Sequence, residues 1–199
     1  MKLLDLEKDL ESKAPIDSKE TSRCFIALDL SRECRQEIQR IQDLLKKKGL
    51  FLGRFTEPEN LHLTLKFLGE ISEEQILEVK KRLKEIKMTK LPCELGEVGV
   101  FSKSFVKIVW TRLHGKSIFE LQKQIDQQLL GLFEKEIRFM SHITIARVKN
   151  VPDKKSFFEY LKSIKPKPVK FIAKSFVLKK SELLLEGPTY TDLEEFDFD

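Results

Sequence analysis

The decapeptide LHLTLKFLGE, residues 61–70, alternates aliphatic and polar side chains. Such alternation marks a strand with one buried face, because successive side chains point to opposite sides. Leu61, Leu63 and Leu65 then share the core face, and His62 and Thr64 share the other. The pattern returns in SHITIAR, residues 141–147, where Ile143 and Ile145 take the apolar face and His142 and Thr144 the polar one. The chain holds only three histidines, and two of them stand in this box. An internal echo of that kind is read before any motif. The third, His114, precedes Gly115 and has Lys116 at the position of the threonine, and reads as a surface residue at a strand-to-helix turn. His142 lies 80 residues after His62. Two strands of one design, so far apart, imply an α+β fold of two lobes facing each other across a central cleft. Each lobe contributes one antiparallel sheet, flanking helices and one His-x-Thr pair.

Local signals fill in the rest. CFIALDL at 24–30 is a strand, and Ser31 caps a helix that carries Cys34, Ile38, Ile41, Leu44 and Leu45 as far as Gly49. Residues 55–60 read as a loop before the first box. Ser72 caps a second helix, with Glu73 and Glu74 in its first turn, running to about residue 87. Strands follow near 91–100 and 105–113. The period of Ile118, Leu121, Ile125, Leu129 and Leu132 predicts a helix over 116–133. The second box is a strand over 141–148, and a helix near 153–164 comes next. Two closing strands are expected, with their turn near Lys180 and Ser181. Residues 1–21 read as an N-terminal extension: a short amphipathic helix on Leu3, Leu4, Leu6 and Leu10, then a polar linker. Residues 22–199 are expected to form a single bilobal domain.

Composition excludes several classes. No apolar run approaches membrane-spanning length, and the charged N-terminus lacks a signal-peptide hydrophobic segment. Cys24, Cys34 and Cys93 are odd in number and match no zinc or redox spacing, as expected of reduced thiols in a cytoplasmic protein. There is no Walker loop, and Gly96 and Gly99 do not make a dinucleotide fingerprint. The net charge of +5 and pI of about 9.0 suit an anionic partner.

The repeated box carries its own chemistry. Imidazole titrates near pH 6.5, so a neutral and a protonated histidine supply a general base and a general acid together. Threonine hydroxyls donate without titrating and suit the non-bridging oxygens of a phosphate. Arg147 follows His142 by five residues and falls on the wrong side of a regular strand. A bulge would turn it inward, where its guanidinium would clamp a phosphate. Zinc binding is the weaker reading, since neither box has metal-ligand spacing or a carboxylate on the same face. Phe25, Phe55 and Phe139 lie near the box strands and read first as core, with base stacking the alternative. The basic run Lys162, Lys165, Lys167 and Lys170 reads as a solvated face or a means of steering RNA.

At this point the sequence resembles the two-histidine (2H) phosphoesterases, specifically the RNA 2′,3′-cyclic phosphodiesterases also named 2′-5′ RNA ligases. RCFIALDL resembles their opening strand, FTEPENLHLTLKFLGE and FMSHITIARV their two boxes, and KSFVLKKSELLLEGPTYTDL their closing strand pair. The resemblance spans about residues 23–193 and implies a bilobal α+β fold with a positively charged cleft, no cofactor and no metal. Carried to matching positions, it implies His62 as proton donor, His142 as proton acceptor, and Thr64, Thr144 and Arg147 as phosphate contacts. The residues alone permit either order of acid and base. The partner it implies is RNA ending in a 2′,3′-cyclic phosphate, tRNA fragments among the candidates. No membrane is implied, and two boxes on one chain suggest a monomer. The alternatives are a module that binds RNA ends without turnover and a 2H phosphodiesterase for another cyclic nucleotide. Ser141 departs from the family, which usually has proline before the second histidine.

Overall fold

The computed structural model describes residues 20–184 and 187–199. The expected N-terminal extension lies outside the described residues except for its last two positions, and Thr21 already pairs with Ser72. In chain order the elements are β1 (Thr21–Asp29), α1 (Arg32–Lys48), β2 (Leu52–Phe55), β3 (His62–Ser72), α2 (Glu73–Leu83), β4 (Leu91–Val100), β5 (Ile108–His114), α3 (Lys116–Gln128), β6 (His142–Asn150), α4 (Lys154–Ser163), β7 (Lys170–Ala173), β8 (Ser175–Leu184) and β9 (Gly187–Asp197). A 3-10 turn at Pro58–Asn60 precedes β3.

The caps work as their chemistry requires. The Ser31 hydroxyl accepts from the Cys34 amide, and Gly49 ends α1 at a φ of 60°, in the left-handed region that glycine enters without a Cβ penalty. Ser72 and Gln75 form a reciprocal capping box at the start of α2. Both α2 and α3 end earlier than their apolar periods suggest. After Leu83 the amides of Glu85 and Ile86 bond three residues back rather than four, and the same happens at Leu130 and Leu132. Gly131, at a φ of 84°, then turns the chain out.

All strand pairs are antiparallel. The order is β7-β4-β5-β6-β3-β1-β8-β9, with β2 also on β6. The closing segment departs from expectation: β8 runs straight through Lys180 and Ser181, which pair with Thr191 and Tyr190. β8 is held on both sides, by β1 and β9, and that pairing overrides the weak turn preference of Ser181. β2 and β7, four residues each, have no counterpart among the expected elements. Such short strands carry too few positions to show a period.

The sheet consists of two halves. β1, β3, β8 and β9 carry the first box, and β2, β4, β5, β6 and β7 carry the second. The bridge between Leu63 and Ile143 joins them, on the central strands β3 and β6. The helices cross over beneath. α1 leaves β1 and packs against β6; α3 leaves β5 and packs against β3. Leu61, Leu63, Leu65, Ile143 and Ile145 are buried in one core under both halves.

Candidate active site

The register at the bridge sets the site. If Leu63 faces Ile143, the same antiparallel count sets His62 across from Thr144 and Thr64 across from His142. Beyond the bridge β3 and β6 diverge, so the four polar side chains line an opening rather than a closed ladder. All four are half-buried.

Both imidazoles are aimed in the same way. His62 Nδ1 lies 2.8 Å from the Asn60 carbonyl and His142 Nδ1 lies 2.7 Å from the Met140 carbonyl. A carbonyl only accepts, so each Nδ1 carries the proton and each Nε2 is left with its lone pair. The two sites then differ. His62 Nε2 is 3.0 Å from Thr64 Oγ1, whereas His142 Nε2 has no partner among the described residues. Aromatic rings fix both. Phe25 and the edge of Tyr190 pack on His62, at 4.9 and 5.2 Å between centroids, and Phe101 meets His142 edge-on at 4.8 Å. Burial holds both histidines below their ordinary range, with His62 pushed down to about 4. Their carbonyl acceptors work against burial, while nearby Lys179 and Arg112 add to it. Burial thus favours the neutral form of both rings at pH 7.

Arg147 reaches the cleft by a bulge. On β5, Trp110 pairs with Thr144 but Val109 pairs with Ala146, so Ile145 is an extra residue. The first box has the same device: Ala27 pairs with Thr64 and Ile26 with Lys66, leaving Leu65 extra. Each bulge reverses the parity after it. Ile145 and Ala146 both face the core, and Arg147 emerges exposed on the same face as His142 and Thr144. Its charge acts on Tyr190, whose hydroxyl is otherwise raised by burial. Arg54 on β2 pairs with Arg147 in register, which sets a second guanidinium beside it. Neither guanidinium forms a hydrogen bond or ion pair with another described residue. Position five of the first box is Phe67, also exposed.

Several neighbours carried no signal in the sequence. Asp29 pairs across from His62, a carboxylate that comes from β1 rather than from the box; Lys179 lies 3.3 Å from it and 2.6 Å from Asp192. Trp110 stands beside Thr144 with its indole N–H buried and without an acceptor. Of the three phenylalanines noted near the boxes, Phe25 and Phe55 are packed under His62 and Lys46, and Phe139 against Phe119. Ser141, just before the second histidine, is anchored: its hydroxyl donates to the Leu113 carbonyl, and its own carbonyl accepts from the Leu113 amide.

Comparisons with known proteins bear on this geometry. The model of the LigT-like phosphoesterases matches residues 28–110 and 113–190, and each stretch carries one box. The RNA 2′,3′-cyclic phosphodiesterase of Methanocaldococcus jannaschii is 34% identical over 177 residues, covering 87% of this chain and 99% of its own length. The protein of the same name from Methanothermobacter thermautotrophicus is 33% identical over 180 residues, covering 87% and 97%. The crystal structure of Escherichia coli LigT in apo form superposes with a TM-score of 0.73 at 25% identity, covering 90% of this chain and 98% of that one. Matched by the family model over most of its length, and by relatives above 30% identity over 87% of it, the chain belongs to the LigT-like phosphoesterase family.

Proposed function

We propose that this chain is an RNA 2′,3′-cyclic phosphodiesterase that opens a terminal cyclic phosphate to a 2′-phosphomonoester. One observation carries the reading: two Nδ1-anchored imidazoles and two threonines face one another across the β3–β6 opening, with Arg147 turned in beside them. Relatives 34% and 33% identical to this chain bear that name.

The cyclic phosphate lies between the histidines, its non-bridging oxygens on the Thr64 and Thr144 hydroxyls and on the Arg147 guanidinium. His142 is the base, a role supported by its unpartnered Nε2. It takes a proton from water as the water oxygen bonds to phosphorus. The P–O3′ bond breaks, and His62 gives its proton to O3′. The substrate's negative charge raises the pKa of both imidazoles, which lets one of them carry that proton at neutral pH. The chemistry uses no metal. Run backward with a 5′-hydroxyl in place of water, the same groups would form a 2′-5′ linkage. We place the enzyme in the cytoplasm as a monomer, in keeping with three free, buried cysteines and both boxes on one chain.

The test is a product assay in EDTA. A short RNA with a 2′,3′-cyclic end is incubated with wild type, His62→Ala and His142→Ala. A 2′-phosphate from the wild type, with at least a 100-fold loss in each variant, is the expected outcome. Tight binding with no product from folded wild type would leave a binding module instead.

A further inference from the structure

We propose that the loop joining β4 to β5 is a track for the single-stranded RNA on the 5′ side of the cyclic phosphate. The track then favours an oligonucleotide end over a mononucleotide. The proposal rests on the phosphodiesterase reading above.

The loop reads FSKSFVK, residues 101–107, with phenylalanine and lysine at alternate odd positions. Phe101 and Phe105 are 53% and 66% exposed, two open rings on one seven-residue loop. Phe101 is the ring that meets His142, so the loop begins at the site itself. Phe105 carries Lys107 Nζ 4.6 Å from its ring centre. The loop is braced. The Phe105 amide donates to Ser102 Oγ, and Lys154 Nζ on α4 donates to the Ser104 carbonyl at 2.8 Å. Lys103, Lys107 and Lys154 form no ion pair with any described residue.

Exposed rings interleaved with unpaired cations are what single strands bind: bases stack on the rings and phosphates follow the charges. Because the cyclic phosphate ends the strand, all remaining RNA extends in the 5′ direction and must leave the cleft over one wall. The His62 wall also shows a ring, Phe67, but its cations are already matched: Lys179 by Asp29 and Asp192, Arg23 by Glu70, Lys180 by Glu182. The loop offers free charge, and among the described residues the strands of the other wall do not. From Phe101 to Phe105 the chain advances four residues, at most roughly 14 Å, so the two rings span no more than about four nucleotides at the stacked spacing of about 3.4 Å.

The experiment compares wild type with Phe105→Ala in two assays. The first is fluorescence anisotropy with a labelled single-stranded RNA hexamer. The second is steady-state hydrolysis of that hexamer ending in a 2′,3′-cyclic phosphate and of 2′,3′-cyclic AMP. Phe105→Ala should weaken hexamer binding and raise the hexamer KM by about 5- to 100-fold, leaving the cyclic AMP constants unchanged. Lys107→Gln should flatten the dependence of log affinity on log salt by about 0.7. Hexamer affinity within twofold of wild type in Phe105→Ala would overturn the track, as would equal losses on both substrates. Should wild type hydrolyse neither, the phosphodiesterase reading falls while the anisotropy still decides the track.

Discussion

At the scale of single residues, the informative feature is how the two imidazoles are held. Each has its Nδ1 proton committed to a carbonyl two residues upstream, which removes the choice of tautomer and aims Nε2 into the cleft. Burial then keeps both rings neutral, His62 most strongly, at about 4. The consequence is kinetic. The profile of kcat/KM reports the free enzyme, and its optimum lies between the two free-enzyme values. Both values are below the ordinary 6.5, so kcat/KM should peak on the acid side of pH 6.5. A bound anion raises both values, so kcat should peak at higher pH than kcat/KM. Measuring both profiles on one cyclic-phosphate substrate checks this. A kcat/KM optimum at or above pH 7, with chemistry rate-limiting, would show that the rings are not neutralised by burial.

At the scale of elements, the paired bulges decide which side chains the boxes present. Alternation alone identified His62, Thr64, His142 and Thr144 as one face, because a period of two is local information. It put Arg147 on the wrong side, since the extra residue at Ile145 appears only when β6 is laid against β5. The same divide runs through the fold. Ser31, Gly49 and Ser72 marked helix ends correctly, because a cap is a contact between near neighbours. β2, β7 and the unbroken run of β8 through Lys180 leave no local signal, because those strands owe their existence to partners far along the chain. Asp29 belonged to no motif for the same reason: it meets His62 only through the β1–β3 register. The bulge yields a specific expectation for Arg147. Lysine keeps the charge but not the two-pronged donor geometry. Arg147→Lys should raise KM by about 10-fold, and Arg147→Met should lower kcat/KM by about 100-fold, both with unchanged melting temperature because the side chain is exposed. Equal kinetics for arginine and methionine would place the guanidinium outside the site.

At the scale of the molecule, the question is what makes two half-sheets, bridged at Leu63 and Ile143, behave as one body. The crossed helices answer in part, and a buried polar node answers the rest. Lys66, just beyond the first box, lies 2.6 Å from Asp126 on α3 and also donates to the Glu134 carbonyl. Asp126 accepts in addition from Gln122 and from the Glu136 amide. Burial opposes the charge on Asp126, but these donors outweigh it and hold the carboxyl below its ordinary value. The node thus pins residues 134–136 to the strand that carries His62. A few residues later the chain reaches Met140, whose carbonyl orients His142. We therefore propose that residues 22–199 unfold as a single unit. Calorimetry should show one transition whose van't Hoff and calorimetric enthalpies agree. Removing one member of the node leaves the other buried without its main partner. Lys66→Met and Asp126→Leu should each cost about 3–5 kcal/mol. The double variant should be far milder than the sum, because the apolar pair leaves no stranded charge. Two resolved transitions in the wild type would mean that the lobes are independent. Additive single-variant costs would mean that Lys66 and Asp126 do not couple the two lobes.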